Sequence, residues 1–154
     1  MNLTAGLRKA ASFRSSAPAL ASGELRLTQG EMLNRVSRLA SSFRKLGVGP
    51  GDRVAILAAN GDHYIECYFA ALWAGGVMVP VNSRFSLAEI IEQVRDAEPT
   101  LLVCDGGFLD NAVELLEACS SLRALVATSG GKGVPRTYDY AALVAETAAC
   151  EDAL

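Results

Sequence analysis

The chain has 154 residues, 51% of them hydrophobic and 20% charged, with a formal net charge of −3. That is length enough for one domain with a sizeable core, and too hydrophobic for a disordered segment. It carries none of the basic excess that nucleic-acid binding requires. No apolar run reaches the ~20 residues of a membrane span. The longest, Tyr64 to Val81, is broken by Glu66 and by the pair Gly75 and Gly76. Cys67, Cys104, Cys119 and Cys150 lie far apart, without CxxC spacing, among small or apolar neighbours. Buried free thiols in a reducing compartment are therefore expected, rather than a disulfide or a metal site.

The first 23 residues hold Arg8, Lys9 and Arg14, many Ala and Ser, and no acid. That composition would suit an organelle transit peptide. Leu3, Leu7 and Ala11 nevertheless form one helical stripe, which favours a structured start and leaves the cytoplasm as the expected compartment. Ala19 to Ala21 reads as a strand, Ser22-Gly23-Glu24 as a turn, and Leu25 to Leu27 as its antiparallel partner. Thr28 and Glu31 have the spacing of a capping box. The helix behind them sets Leu33, Val36, Leu39, Ala40, Phe43 and Leu46 on one face, with Asn34, Arg35, Ser37, Arg38 and Ser41 on the other. Gly47 ends it.

After the turn Gly49-Pro50-Gly51-Asp52, Val54 to Ala58 is a continuous apolar strand. The stretch from Tyr64 to Arg84 organises everything around it. Tyr64, Ile65, Tyr68, Phe69, Leu72 and Trp73 recur at helical spacing, and beyond Glu66 the opposite side is only Cys67, Ala70, Ala71 and Ala74. A helix without a polar face is expected to be buried on several sides, with Tyr68 and Trp73 in the core. Gly75 and Gly76 can take the left-handed conformation that stops it, with Gly76 expected to hold a positive φ. Val77 to Val79 then read as a fully buried strand stopped by Pro80. Ser86 and Glu89 make a second capping box, for a helix that turns Leu87, Ile90, Ile91 and Val94 inward and stops before Pro99. Thr100 to Cys104 is a strand. Leu109, Val113, Leu116 and Cys119 line a helix, and Ala124 to Thr128 is a strand again. Gly130 to Arg136 is loop, and Tyr138 to Ala145 a last short helix. The alternation predicts an α/β fold with a mainly parallel sheet and helices on both faces. The last nine residues, 146–154, are small and polar and are expected to fray.

The ordered motifs carry a family resemblance. Leu72, Ala74, Gly75, Gly76, Pro80, Asn82 and Arg84 resemble the Leu-x-Ala-Gly-Gly, strand, Val-Pro-Val-Asn-x-Arg run of adenylate-forming (AMP-binding) enzymes, closest to the acyl-CoA synthetase and fatty-acid–CoA ligase branch. Leu27-Thr28-Gln29-Gly30-Glu31-Met32-Leu33 is similar to the family's Leu-Thr-Tyr-x-Glu-Leu, with Gln29 in place of tyrosine. Leu46 to Ala55 resembles Leu-Gly-Val-x-Pro-Gly-Asp-x-Val-Ala. The likeness runs from about Leu3 to about Val144. It implies that residues 1–145 form the N-terminal subdomain of an acid–CoA ligase, with 146–154 as a tail. Such an enzyme joins a carboxylic acid to ATP as an acyl-adenylate and passes the acyl group to coenzyme A. It also implies ATP, Mg and coenzyme A as cofactors of the complete enzyme. The phosphate-loop subdomain and the lysine-bearing C-terminal domain of that family have no counterpart in these residues. The remainder of the ligase is the expected partner, with self-association as a further expectation.

No catalytic, cofactor-binding or metal-ligating residue is therefore assigned. Thr28, Glu31, Gly75, Gly76, Pro80 and Asn82 are expected to be structural. Thr128 to Arg136 looks like a phosphate-binding string, but it lacks the family's Thr-Thr-Gly hydroxyls and a Walker spacing, and reads as a solvated Gly-Lys loop. His63, the lone histidine, is expected at a helix start near solvent, beside an Asp62 that suits the helix dipole. Arg84 lies just past a parallel strand, where α/β sheets place ligands, and is the one residue expected beside a site. The competing role for Arg84 is a structural fork to Asn82 and backbone carbonyls. Two other functions fit less well. One is a non-catalytic interaction module derived from the same subdomain. The other is an independent dinucleotide binder, which would need the Gly-x-Gly-x-x-Gly turn that is missing here.

Overall fold

The computed structural model describes residues 3–153. Helix α1 (Ala5–Phe13) precedes a hairpin of β1 (Pro18–Ser22) and β2 (Leu25–Thr28), closed by Gly23 at φ +53°. Then follow α2 (Gln29–Lys45), β3 (Arg53–Leu57), α3 (Asp62–Trp73), β4 (Val77–Pro80) and α4 (Leu87–Ala97). Strand β5 (Leu101–Cys104), helix α5 (Leu109–Ala118), β6 (Ala124–Ala127), β7 (Thr137–Asp139) and α6 (Tyr140–Glu146) complete the described chain. Five strands form one parallel sheet in the order β4-β3-β5-β6-β7. The expected α/β class with helices on both faces is what the structure has.

Two cores follow from that layering. On one face β3, β5 and β6 turn Val54, Ile56, Leu101, Val103 and Val126 toward α2, α3 and α6. On the other, Ala55, Leu57, Leu102, Cys104 and Leu125 meet α4 and α5. Alternating residues of one strand serve opposite faces, so continuous apolar runs are what a sheet covered twice requires. Both capping boxes are made. The Thr28 hydroxyl accepts from the Glu31 amide while Glu31 accepts from the Thr28 amide, and Ser86 with Glu89 repeats the arrangement.

Several sequence expectations are corrected. The sheet ends at β4, so Val77 is 49% exposed and Met78 and Val79 are only half-buried; Pro80, which has no amide to donate, is tolerated on such an edge. Helix α3 buries its small side, not its large one. Cys67, Ala70 and Ala71 are fully buried with Glu66, whereas Ile65 is 40% exposed and Tyr64, Tyr68, Phe69 and Leu72 are half-buried. Small residues let α3 lie close against α2 and the sheet, which leaves the long side chains at the rim. Trp73 is buried as expected. The left-handed residue after α3 is Gly75 at φ +93°, and Gly76 has no positive φ. Gly76 is needed for close approach instead, since a Cβ there would sit 2.9 Å from the Asp52 carbonyl oxygen and 3.2 Å from that of Ala71.

The outer face of α2 is not all solvated. Ser37 and Ser42 are buried because α6 and the segment after it lie across them. There the Ser42 hydroxyl donates to Thr147, the Cys150 amide to the Ser37 carbonyl, and the Trp73 indole to the Cys150 carbonyl. The Ala153 amide reaches the Trp73 carbonyl, and Asp152 meets Thr4 and Arg8. Through Thr147, Cys150, Asp152 and Ala153 the segment expected to fray makes contacts with α1, α2 and α3; Leu154 lies outside the described residues. The last helix begins at Tyr140, two residues later than expected, because Thr137–Asp139 join the sheet as β7.

Candidate functional site

The carboxyl ends of β3 and β5 flank the point where the strand order reverses, the usual ligand crevice of an open α/β sheet. Here Asp105 occupies it. One carboxylate oxygen accepts from the Ala59 amide at 2.7 Å and the other from the Gly107 amide at 3.0 Å. Gly106 is pressed against Ser129, whose Oγ would lie 2.2 Å from a Cβ at that position. The acid that could have met a ligand is spent on tying two loops together.

The Gly130–Arg136 loop lines a cavity of about 330 Å³ with Ala127, Lys132, Thr137 and Asp139. Its Arg136 and the lining Asp139 are committed. The Arg136 guanidinium donates to the carbonyls of Leu122 and Leu116 at 2.9 Å each, and the Asp139 carboxylate caps α6 through the Ala142 amide. That agrees with the loop reading made from sequence. Among the described residues no group of three or more His, Cys, Asp or Glu side chains could hold a metal ion.

Arg84 is exposed in the β4–α4 loop. Its backbone amide donates to Asn82 Oδ1 at 3.1 Å, a turn held by the asparagine. Among the described residues the guanidinium has no hydrogen-bond partner, so the competing fork is not formed there; Asn82 shapes the backbone. The Asn82 amide in turn bonds Gln93 Oε1 at 3.3 Å.

The charged cluster that sequence reading passed over lies across α2, α3 and α6. Glu66 is fully buried, with Oε2 2.9 Å from Arg35 Nε and 2.8 Å from the Tyr140 hydroxyl, which donates to it. Arg35 Nη2 also donates to Tyr140 at 3.3 Å. Burial raises the Tyr140 phenol well above its ordinary range, and the Glu66 carboxylate pushes it further. For Arg35, burial works to lower the pKa, but the hydrogen bond and charge of Glu66 prevail and raise it. The signal is present in the sequence as one acid beyond the first turn of an otherwise apolar helix. Its partners lie 31 and 74 residues away and could not be read from spacing. His63 sits beside this cluster, its ring edge-on to Tyr140 at 6.3 Å and its Nδ1 3.9 Å from Asp62.

All four cysteines are free. Cys67 and Cys104 are fully buried; burial raises both thiols, Cys104 to about 12, so neither presents a thiolate nucleophile. No helix among the described residues is long and apolar enough to cross a membrane.

Compared with known families, residues 7–150 match the model for the AMP-binding enzyme. The chain belongs to the AMP-binding enzyme family. It is similar to a feruloyl-CoA synthase from an Amycolatopsis species, 41% identical over 87 residues, which are 56% of this chain and 18% of that protein. It is also similar to the long-chain-fatty-acid–CoA ligase of Thermus thermophilus, 40% identical over 100 residues, 64% of this chain and 18% of the relative. Among solved structures, the acetoacetyl-CoA synthetase of Streptomyces lividans superposes with a TM-score of 0.84 at 26% identity, over 99% of this chain and 26% of that one. The N-terminal domain of FACL13 from Mycobacterium tuberculosis shares the fold, with a TM-score of 0.86 at 22% identity. The aligned stretches thus span only about a fifth of the length of the curated relatives.

Proposed function

We propose that this chain serves as the N-terminal subdomain of an ATP-dependent acid–CoA ligase, within which it is scaffold rather than reaction centre. In that reading a carboxylate attacks the α-phosphorus of ATP, pyrophosphate leaves, and the acyl-adenylate then yields its acyl group to the coenzyme A thiol with loss of AMP. ATP, Mg and coenzyme A belong to the complete enzyme, and the cytoplasm is its expected compartment. One observation carries the scaffold role: Asp105, the acid at the sheet's carboxyl edge, is consumed by the fold, its two oxygens accepting from the amides of Ala59 and Gly107. Arg84, exposed and without a side-chain partner among the described residues, is the exception, and we place it at the edge facing the substrate. The half-exposed Ile65, Val77 and Phe85 are the residues we expect the remainder of the ligase, or a second copy, to cover.

Pyrophosphate exchange tests this. The purified chain with ATP, Mg²⁺ and a range of carboxylic acids should show only background. A chimera in which it replaces the corresponding residues of the Thermus thermophilus ligase should fold and exchange pyrophosphate. Exchange by the chain alone, or a folded but inactive chimera, overturns the reading.

A further inference from the structure

Gln93, half-buried on α4, spends both ends of its side-chain amide on the exit of β4. Its Nε2 donates to the Pro80 carbonyl at 3.0 Å, and its Oε1 accepts from the Asn82 amide at 3.3 Å. A carbonyl and an amide two residues apart, on one side of an extended chain, are what a residue of a parallel neighbour would bond. Among the described residues β4 is the last strand of its sheet, and Gln93 takes the part of the missing neighbour. Between the two, the Val81 amide points the other way and donates to the Ile56 carbonyl of β3 at 3.0 Å. The chain at 80–82 is thus gripped from both sides. The outer grip needs an amide: a carboxylate would set an oxygen against the Pro80 carbonyl, and an apolar side chain would bond neither group.

The grip is passed outward. Asn82 Oδ1 accepts from the Arg84 amide, and the Asn82 carbonyl from the Phe85 amide, each at 3.1 Å. The backbone of Arg84 is therefore placed by Asn82, and that of Asn82 by Gln93. Ser86 and Glu89 then start the helix whose second turn brings Gln93 back to β4, which closes the circuit. We propose that Gln93 is a positioning residue, which acts through Asn82 to fix the turn that aims Arg84. This rests on the reading of Arg84 as the residue that faces the substrate; Gln93 acts at one remove from it.

Gln93→Met keeps the length of the side chain and loses both bonds. In the chain, hydrogen exchange of the Asn82 and Arg84 amides, corrected for intrinsic rates, should then be faster by about threefold or more, with the Val94 amide inside α4 unchanged. Gln93→Ala should do the same, and it decides the matter if Gln93→Met does not fold. An Arg84 amide that exchanges as in the parent overturns the relay. In the Thermus thermophilus chimera, Gln93→Met should lower kcat/KM for the acid by about threefold or more, and should change nothing further in an Arg84→Ala background. No loss, or an equal loss with and without the arginine, overturns the proposal. A chimera inactive with Gln93 in place fails the ligase reading instead, and exchange at Arg84 still decides whether Gln93 holds the turn.

Discussion

Gly76→Ala separates two reasons for keeping a glycine. At Gly76 the backbone conformation is open to any residue, but the new methyl would stand 2.9 Å from the Asp52 oxygen, 3.2 Å from the Ala71 oxygen and 3.2 Å from Val48 Cγ1. Two of these are backbone atoms, and Asp52 is held further because its carbonyl accepts the Val77 amide at 2.7 Å. Little can move, so the cost is that of overpacking, about 1–3 kcal/mol. With a urea slope of about 2 kcal/mol/M, that lowers the unfolding midpoint by roughly 0.5–1.5 M without changing the slope. Gly51→Ala is the comparison. Its φ is +82° with nothing within 4 Å of the added methyl, so it should lose only the left-handed penalty of about 1–2 kcal/mol. Gly6→Ala, in α1 and also in open space, should stabilise by about 0.5–1 kcal/mol. Urea melts by far-UV circular dichroism measure all three. A Gly76→Ala midpoint equal to that of the parent would refute the crowding argument, because no conformational penalty exists there to mask it.

Removing Glu66 by Glu66→Ala should cost about 3 kcal/mol, the low end for breaking a buried ion pair because Arg35 can still reach water; Glu66→Leu should cost less, and an equal loss would mean that packing, not charge, is what the site supplies. Glu31 and Glu89 are held below the ordinary carboxylate range, chiefly by the backbone amide of Thr28 and the side chain of Ser86 respectively. Their contribution is present above the unfolded carboxylate pKa and lost as pH falls through the folded one, so acid melts of Glu31→Gln and Glu89→Gln should be flatter than those of the parent below about pH 4.5. The half-exposed apolar rim of α3 and β4 should make the isolated chain bind a hydrophobic dye and self-associate in sedimentation; a dye-silent monomer at millimolar concentration would count against a covered rim.

Fold class was legible because local and global signals agree. Two capping boxes, glycine-bounded helices and continuous apolar strands each point to the same layered sheet, and each is formed. What escaped was set by position in the sheet. Nothing in Val77-Met78-Val79 distinguishes an edge strand from a central one, since both need the same β-branched residues on the covered face. Helix α3 misled for a related reason. A helix without a polar face predicts burial on several sides, whereas close packing buries the smallest side chains, Cys67, Ala70 and Ala71, and leaves Tyr64, Tyr68 and Phe69 half-buried. Ser37 reads as solvated because its cover, Cys150, comes from the far end of the described chain.

The choice of Glu66 for a fully buried place makes sense only with the tail and α6 in view. An apolar residue there would pack α3 on α2 equally well, because Cys67, Ala70 and Ala71 already supply the close approach. It would not say where α6 must stop along α2. A carboxylate bonded at once to Arg35 of α2 and Tyr140 of α6 fixes that position to within a hydrogen bond, at the expense of desolvating a charge. The consequence is directional. Once α6 is set, Thr147 falls against Ser42, Cys150 against Ser37, and Ala153 against the end of α3. A buried ion pair that adds little net stability can thus determine the course of the whole final segment, and a leucine in its place should leave the melting temperature nearly unchanged while loosening residues 147–153.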